Sequence, residues 1–554
     1  MPRGVGGEDD GSWKLLSVQQ PRRRGWRDLR VGVLLSWAAV SLLAARAYAQ
    51  TPTADTLARG PLVQSLRIVT RPVFDSAETR FLPFRLLNLL HAETRTFVVR
   101  RELLVLPGQR VDSARLLETE RNLRALGIFQ EVSIREMPRD SGVILVVETT
   151  DAWTTTPSLD FKSSGEQLSF SVSLQERNFL GTATTALLQY RDDPDRSSLA
   201  VAVDAPRVTG GTVGLAFSYL DRSDGRAAAA GIRSPFVHLG VRRGWTLVGQ
   251  YFDGRVLRFA GGQPRPVDSL HRRLEVLQAE AAVAPRTNTG GYVRLGLQWQ
   301  WRRDGFAPLR SGMLPSTDVF VTAGPYVAVR RVAYMRVRNF AYMRRVEDVD
   351  LGRGLRLALL AAPQRWGYRE DAVGLSLESW AGHRLPGGFA RYALRASRLL
   401  APAHNDSGGI IVGGTAVLQP EARHLLVIHA DAGLLQRPAP GGEFDLGLGD
   451  ALRSFPAHSF TGDRRFLATV EYRYLLAPDV AGLAGLGVAV FATKAGAWYH
   501  GQATRSGAEI GAGLRVASLK EASPVWRLDL SHRSGGARPA GWVFSVGQGF
   551  VFSW

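Results

Sequence analysis

The sequence predicts a mainly β fold, a C-terminal transmembrane antiparallel β-barrel of about sixteen strands preceded by a small α/β domain. Three observations predict it. From about residue 155 to Trp554, apolar side chains recur with a period of two. The alternate positions carry arginine, glutamate and glutamine, which suit a wet lumen and not a dry inter-sheet core. The alternating runs reach ten residues or more, the length a tilted strand needs to cross a bilayer. The 400 residues from 155 to 554, at ~25 per strand plus loop, set the strand number.

Composition excludes several classes. Of 554 residues, 69 are Lys or Arg and 50 Asp or Glu, a formal net charge of +19. Only Lys14, Lys162, Lys494 and Lys520 are lysines. Cysteine is absent, which removes disulfides, thiolate metal sites and a cysteine nucleophile. The basic charge raises nucleic acid as a partner. Its arginines are scattered along strands and turns, and an exported chain rarely meets DNA, so no nucleic acid is expected. Guanidinium pairs well with phosphate, which leaves outer-membrane lipid or lipopolysaccharide as a partner, or a plain solvated surface.

The N-terminus sets the compartment. Arg22, Arg23, Arg24, Arg27 and Arg30 form a basic region before the apolar run Val31–Ala45. Ala47-Tyr48-Ala49 is a small-residue cleavage site, so residues 1–49 read as a secretory signal peptide. The competing reading is a membrane anchor, for which fifteen apolar residues are short.

Residues 50–63 read as a linker and residues 64–150 as a mixed domain. Leu66, Ile68, Val69, Val73 and Phe74 predict a first strand broken by Pro72. Phe97–Val99 and Leu103–Leu106 predict extended segments, the second closed by Pro107-Gly108. Asp112 or Ser113 caps a helix whose apolar face holds Leu116, Leu117, Leu123 and Leu126, and Gly127 stops it. Val132, Ile134 and the run Val143–Val147 predict two strands around a turn at Ser141-Gly142.

In the barrel region, 155–554, Val293, Leu295, Leu297, Trp299 and Trp301 share one face and Arg294, Gln298, Gln300 and Arg302 the other. Val470, Tyr472 and Tyr474 oppose Glu471 and Arg473. Near the C-terminus, Trp542, Phe544, Val546, Phe550, Phe552 and Trp554 predict one aromatic face of a last strand. Closure follows from physics, since a sheet in lipid cannot keep an unpaired edge.

Four motifs resemble the BamA/TamA superfamily of outer membrane proteins, the bacterial surface antigen barrels with POTRA domains. Leu103–Asp112, the helix end Leu123-Arg-Ala-Leu-Gly-Ile-Phe129 and the strand Val143–Glu148 are similar to a POTRA domain. Glu176-Arg-Asn-Phe-Leu-Gly-Thr182 resembles an N-F-L-G-T-G element, with Ala183 in place of the last glycine. Leu452-Arg453-Ser454-Phe455 resembles a V-R-G-F/Y loop, with Ser454 in place of glycine. Phe550, Phe552 and Trp554 resemble the C-terminal barrel signal of outer membrane proteins.

The resemblance implies a periplasmic POTRA-like domain and a lumen loop whose Arg453, with Phe455, meets wall carboxylates. The family's F-x-D-x-G strand reads Phe491-Ala-Thr-Lys494-Ala-Gly496, with Lys494 near the acidic position, so Glu471 and Asp529 are the candidate substitutes. An ordinary loop arginine is the competing reading of Arg453. Gly547 and Gly549 weaken pairing where the first and last strands meet, or else relieve crowding in the lumen.

No H-E-x-x-H, P-loop or G-x-S-x-G is present, so no enzyme and no cofactor is expected. The implied role is assisting insertion, assembly or translocation of polypeptides at the outer membrane. Unfolded or extended client polypeptides and accessory assembly proteins are the implied partners. The alternatives are a passive pore or structural barrel, and a lipid-exporting or lipid-active barrel.

Overall fold

The computed structural model describes residues 60–552, apart from 75–91, 164–166, 209–210, 264, 289, 310–314, 344–345, 403–404, 449–450, 520–524 and 538. The signal-peptide reading with Ala47 and Ala49, most of the linker, and Trp554 lie outside the described residues.

The N-terminal α/β unit contains β1 (Leu62–Arg71), α1 (Thr96–Arg100), α2 (Ser113–Ala125), β2 (Phe129–Arg139) and β3 (Gly142–Asp151). Its sheet runs β1-β3-β2, with β1 parallel and β2 antiparallel to the central β3. The Asp112 carboxylate accepts from the Ala114 and Arg115 amides and starts α2. Gly127, at φ 68°, turns the chain out of it. Leu123 is fully buried and Leu117 is exposed, so the apolar face of α2 is narrower than its leucines imply.

Phe97–Val99 departs from the expected extended form. It is helical in α1, which buries Val98 and Val99 against Leu123, Ile128, Phe129 and Val147. Burial of two β-branched side chains outweighs their strand preference.

The first ten strands of the wall are β4 (Thr155–Ser163), β5 (Leu168–Phe179), β6 (Thr184–Asp193), β7 (Arg196–Ala205), β8 (Gly214–Arg222), β9 (Gly225–Ser234), β10 (Arg243–Arg258), β11 (Asp268–Asn288), β12 (Gly291–Pro308) and β13 (Ser316–Arg331). A hairpin of β14 (Tyr334–Arg338) and β15 (Val346–Asp350) then leaves the wall. The wall resumes with β16 (Arg353–Ala362), β17 (Ala372–Leu385), β18 (Gly388–Leu400), β19 (Asn405–Leu418) and β20 (His424–Gln436). A second short pair, β21 (Phe444–Leu446) and β22 (Phe460–Gly462), leaves it again. Five strands complete it: β23 (Arg464–Val480), β24 (Ala484–Trp498), β25 (Ser506–Ser518), β26 (Trp526–Gly535) and β27 (Gly541–Gln548).

Neighbours are antiparallel throughout, and β27 meets β4 to close the barrel. The wall therefore holds twenty strands and not about sixteen. The reckoning of ~25 residues per strand and loop overstated the connections. Pro194-Asp195 and Ser223-Asp224 are complete two-residue turns.

The two faces of the wall differ in kind. Leu297, Ile510 and Trp542 are exposed outward at 65 %, 64 % and 67 %, while Arg294, Arg302, Arg515 and Asp529 point inward and are buried. An apolar exterior around a charged interior inverts a water-soluble barrel and matches a lipid-facing one. Among the described residues no helix is long and apolar enough to cross a membrane.

The α/β unit sits at one end of the barrel, here the near end. The turn Asn178–Ala183 docks it. Asn178 Nδ2 donates to Thr94 Oγ1 at 2.8 Å, and the Arg95 amide donates to the Gly181 carbonyl at 3.0 Å. Ala183 has φ 58°, the left-handed conformation that glycine adopts readily, so alanine here keeps the turn despite the changed residue type.

Candidate functional site

The segment between β20 and β23 enters the lumen from the far end. Leu448, Ala451 and His458 hold φ 46°, 67° and 61°, and each such non-glycine residue costs about 1–3 kcal/mol. Surrounding contacts hold the conformation. Phe455 and Phe460 pack with Leu446, Leu452, Leu467 and Ala495 in one buried cluster. Gly507 makes the room, since a Cβ there would lie 2.3 Å from the Phe455 ring.

Arg453 sits at the centre. Its Nη2 donates to Glu471 Oε2 at 2.6 Å and its Nε lies 3.1 Å from Asp529 Oδ2. The guanidinium stacks 3.6 Å over the Phe491 ring. Alternation explains how the wall supplies these carboxylates, because Glu471 on β23 and Asp529 on β26 both fall on the inward set. Arg453, Phe455, Glu471 and Asp529 are thus brought together.

Sequence reasoning missed Glu509, on β25. Its carboxylate accepts from the Arg453 amide at 2.9 Å, the Ser454 amide at 2.9 Å and the Ser454 hydroxyl at 2.7 Å. The Ser454 side chain, absent from the glycine of the motif it resembles, thus adds a hydrogen bond. The available signal was Glu509 itself, an acid at an inward position of an alternating strand. Arg473, Arg515 and Arg527 complete the constellation. Arg473 Nε donates to Glu471 at 2.5 Å and Arg515 Nη1 to Asp529 at 2.6 Å, while Arg527 Nη1 is 3.6 Å from Asp529. Four guanidiniums thus surround three carboxylates, all buried.

Lys494 is elsewhere. It is exposed on the outward face, between Ala468 and Ala508 on the neighbouring strands, and the inward position is Thr493, bonded to Thr469 Oγ1 at 2.8 Å. A one-residue offset in a strand exchanges the faces, so Lys494 does not occupy the acidic position.

The C-terminal residues also depart from expectation. The last strand ends at Gln548, and Gly549, at φ 65°, turns the chain into the lumen. Phe550 and Phe552 therefore do not share the outward face of Trp542 and Phe544. Phe550 lies 4.1 Å from the Arg473 guanidinium, and Phe552 stacks on His429 at 3.9 Å. The Ala451 amide donates to the Val551 carbonyl at 3.3 Å.

The seam follows from that turn. Among the described residues the β27–β4 register holds one position, Ser545 opposite Lys162; residues 164–166, which that register would set opposite 541–543, lie outside them. The flanking pairs hold eight (β26 with β27) and nine (β4 with β5). Extending the seam register would set residues 549–552 opposite 158–155, but the chain has left the wall there. Gly547 makes room for Arg527, whose Nη2 would lie 2.8 Å from a Cβ. Gly549 acts by its backbone conformation.

At the far rim His458 joins the loop to the wall. Its two ring nitrogens bond Asp445 at 2.6 Å and Asp195 at 2.8 Å, and Phe259 stacks on it at 3.4 Å. Burial lowers its pKa, but the two carboxylates outweigh burial and push it up to about 9.

No family model matches the chain, and no curated protein matches it. Among solved structures the chain is similar to BamA from Haemophilus ducreyi lacking POTRA domains 1–3, at 13 % identity, 88 % coverage of this chain, 85 % of that chain and a TM-score of 0.39. It is similar to CdiB from Escherichia coli at 14 % identity, with 89 % and 77 % covered and a TM-score of 0.45. CdiB from Acinetobacter baumannii gives 12 % identity, 89 % and 74 % coverage and a TM-score of 0.40.

Breaking a buried ion network by removing one member costs about 3–5 kcal/mol. Arg453→Ala should lower barrel stability by that order, and Glu509→Gln added to it should cost less than the sum of the single losses. Unfolding in detergent measures both, and strictly additive losses would show the groups to be independent. For His458, a pKa raised above the ordinary 6.5 means full stabilisation below about pH 6.5, fading as pH rises through about 9. Protease cleavage within 437–463 should therefore increase between pH 7 and 10, and His458→Gln should abolish that pH dependence.

Proposed function

We propose that the chain lies in the bacterial outer membrane, with its POTRA-like α/β domain in the periplasm. There it assists insertion, assembly or translocation of polypeptides and carries out no covalent step of its own. The observation that supports this reading best is the seam, which among the described residues pairs at one position and from which the chain end 549–552 has turned away. Each backbone hydrogen bond is worth about 0.5–1.5 kcal/mol net in water, and a lost partner costs more where water is excluded. Strand β4 is then the place where the wall can accept another extended chain at least cost.

A second edge lies in the α/β domain. Among the described residues β2 pairs with β3 alone, and its Arg135–Arg139 half is exposed. An extended client can add a strand there through backbone bonds that tolerate any sequence. The client then passes from one sheet edge to the other, both made of the same backbone groups. A passive pore fits less well, because the loop around Arg453, the β14–β15 hairpin and the C-terminal residues occupy the lumen.

Lipid is the remaining partner. The outward positions of β24 run Leu486, Val488, Val490 and Ala492 before Lys494, four residues from the far end at Trp498. Lysine on a lipid face costs about 2–4 kcal/mol at the midplane and about 0–1 near an interface. Its ammonium therefore reaches the headgroup level of the outer leaflet and meets phosphate there.

The chain has no cysteine, so a Lys162→Cys, Ser545→Cys pair would form the sole disulfide. The oxidised protein should fail to restore outer-membrane protein levels in depleted cells and recover on reduction, whereas a locked barrel that still works would reject the seam. For the lipid contact, Lys494→Ala should reduce the phosphate-bearing lipid that copurifies in native mass spectrometry, and unchanged lipid would rule it out.

A further inference from the structure

The β14–β15 hairpin touches both the α/β domain and the chain end. Its two strands pair from Tyr334 opposite Asp350 to Arg338 opposite Val346. At the base, α2 grips it. Arg124 Nε donates to Asp348 Oδ2 at 2.6 Å, Arg336 Nη2 donates to Glu120 Oε2 at 2.6 Å, and the Arg121 guanidinium lies 4.5 Å over the Tyr334 ring. Arg330, on the adjoining wall strand β13, bonds Asp350. The hairpin thus springs from the wall but is held from the other side by the domain.

The tip is a shaped object inside the lumen. The Glu347 carboxylate accepts from the amides of Phe340 at 3.0 Å, Ala341 at 3.1 Å and Tyr342 at 3.3 Å, which fixes the turn after Asn339. Phe340 is buried and meets Phe389 edge-on and Phe550 at 5.3 Å. Arg473, which bonds Glu471 of the Arg453 constellation, donates to the Phe340 carbonyl at 3.4 Å. Met343 fills a groove over Gly485, where a Cβ would lie 2.6 Å from its sulfur.

We propose that this hairpin is a strap. Held by the domain, it keeps the C-terminal residues 549–552 inside the lumen and so keeps the seam unzipped. Phe550 is held between Phe340 and Arg473. Those same residues, continued along β27, are the ones that would pair with 158–155 of β4. The chain end therefore has two backbone partners on offer, the lumen segments or β4, and the hairpin stabilises the first. When the domain lets go of the hairpin, Phe340 loses its support, the chain end returns to the wall and the seam closes. Domain position and seam state become one equilibrium, with the hairpin as the element that both ends bias. Coupling free energies between sites run from about fivefold upward.

The test uses a charge swap. Arg124→Glu sets like charges against Asp348 and Glu120, and adding Asp348→Arg restores a pair of opposite sign. Seam closure is read by a Thr156→Cys, Val551→Cys pair, which come opposite each other only when the register of Ser545 with Lys162 is extended. Crosslink yield should be low in the otherwise unchanged protein, rise at least about fivefold with Arg124→Glu, and fall again with the swap. Amide exchange over 155–161 in the cysteine-free protein should slow in parallel, which keeps the test informative if the cysteine pair disturbs folding. Phe340→Ala, which leaves the domain contact intact, should also raise the yield. Exchange and yield unmoved by Arg124→Glu, or moved but not restored by the swap, would overturn the strap.

Discussion

An apolar exterior offers no partner to a backbone amide, so each strand of the wall depends on the two beside it. Nineteen of the twenty junctions meet that demand through long antiparallel registers, and among the described residues the β27–β4 junction does so at one position. The deficit is not a shortage of chain. Enough residues remain after Gln548 to extend the pairing, and a single left-handed glycine sends them inward. The weakest point of the barrel is thus set by a choice between two partners for the same few residues.

Inside, the governing problem is charge. Guanidiniums taken out of water need carboxylates, and the inward positions of β23 and β26 supply Glu471 and Asp529 at hydrogen-bond distance, while Glu509 on β25 lies 3.6 Å from the Arg453 guanidinium and accepts from its backbone amide. Arg453 arrives from the loop and Arg473 passes the contact on to Phe340 and Phe550. The loop, the hairpin and the chain end come from distant parts of the sequence and share this one patch of wall. None of them fills the lumen alone, and each covers apolar surface belonging to another.

Much of this was legible in the sequence because period-two alternation states which side chains face in. It sets Glu471 inward, while its pairing and that of Asp529 with Arg453 are expected from the resemblance; both carboxylates lie within 3.1 Å of the Arg453 guanidinium. The motif match, and not the alternation, sets Lys494 near the acidic position, and no motif points to Glu509. Strand number was misjudged because turn length, unlike strand polarity, leaves little trace. The direction of Phe550 and Phe552 was hidden for a different reason. Their spacing continues the pattern of Trp542 and Phe544, and only the backbone angle at Gly549 breaks it. Phe97–Val99 showed β-branched residues taken into a helix by the burial of Val98 and Val99.

Twenty strands also set a bore. With strands ~4.8 Å apart and tilted by ~40°, a twenty-strand wall is about 40 Å across, against about 32 Å for sixteen, which enlarges the cross-section by roughly half. An empty cylinder of that calibre would pass solutes far larger than water. Its internal stuffing therefore closes the bore, and a loosened interior would open a passage through the wall's full height.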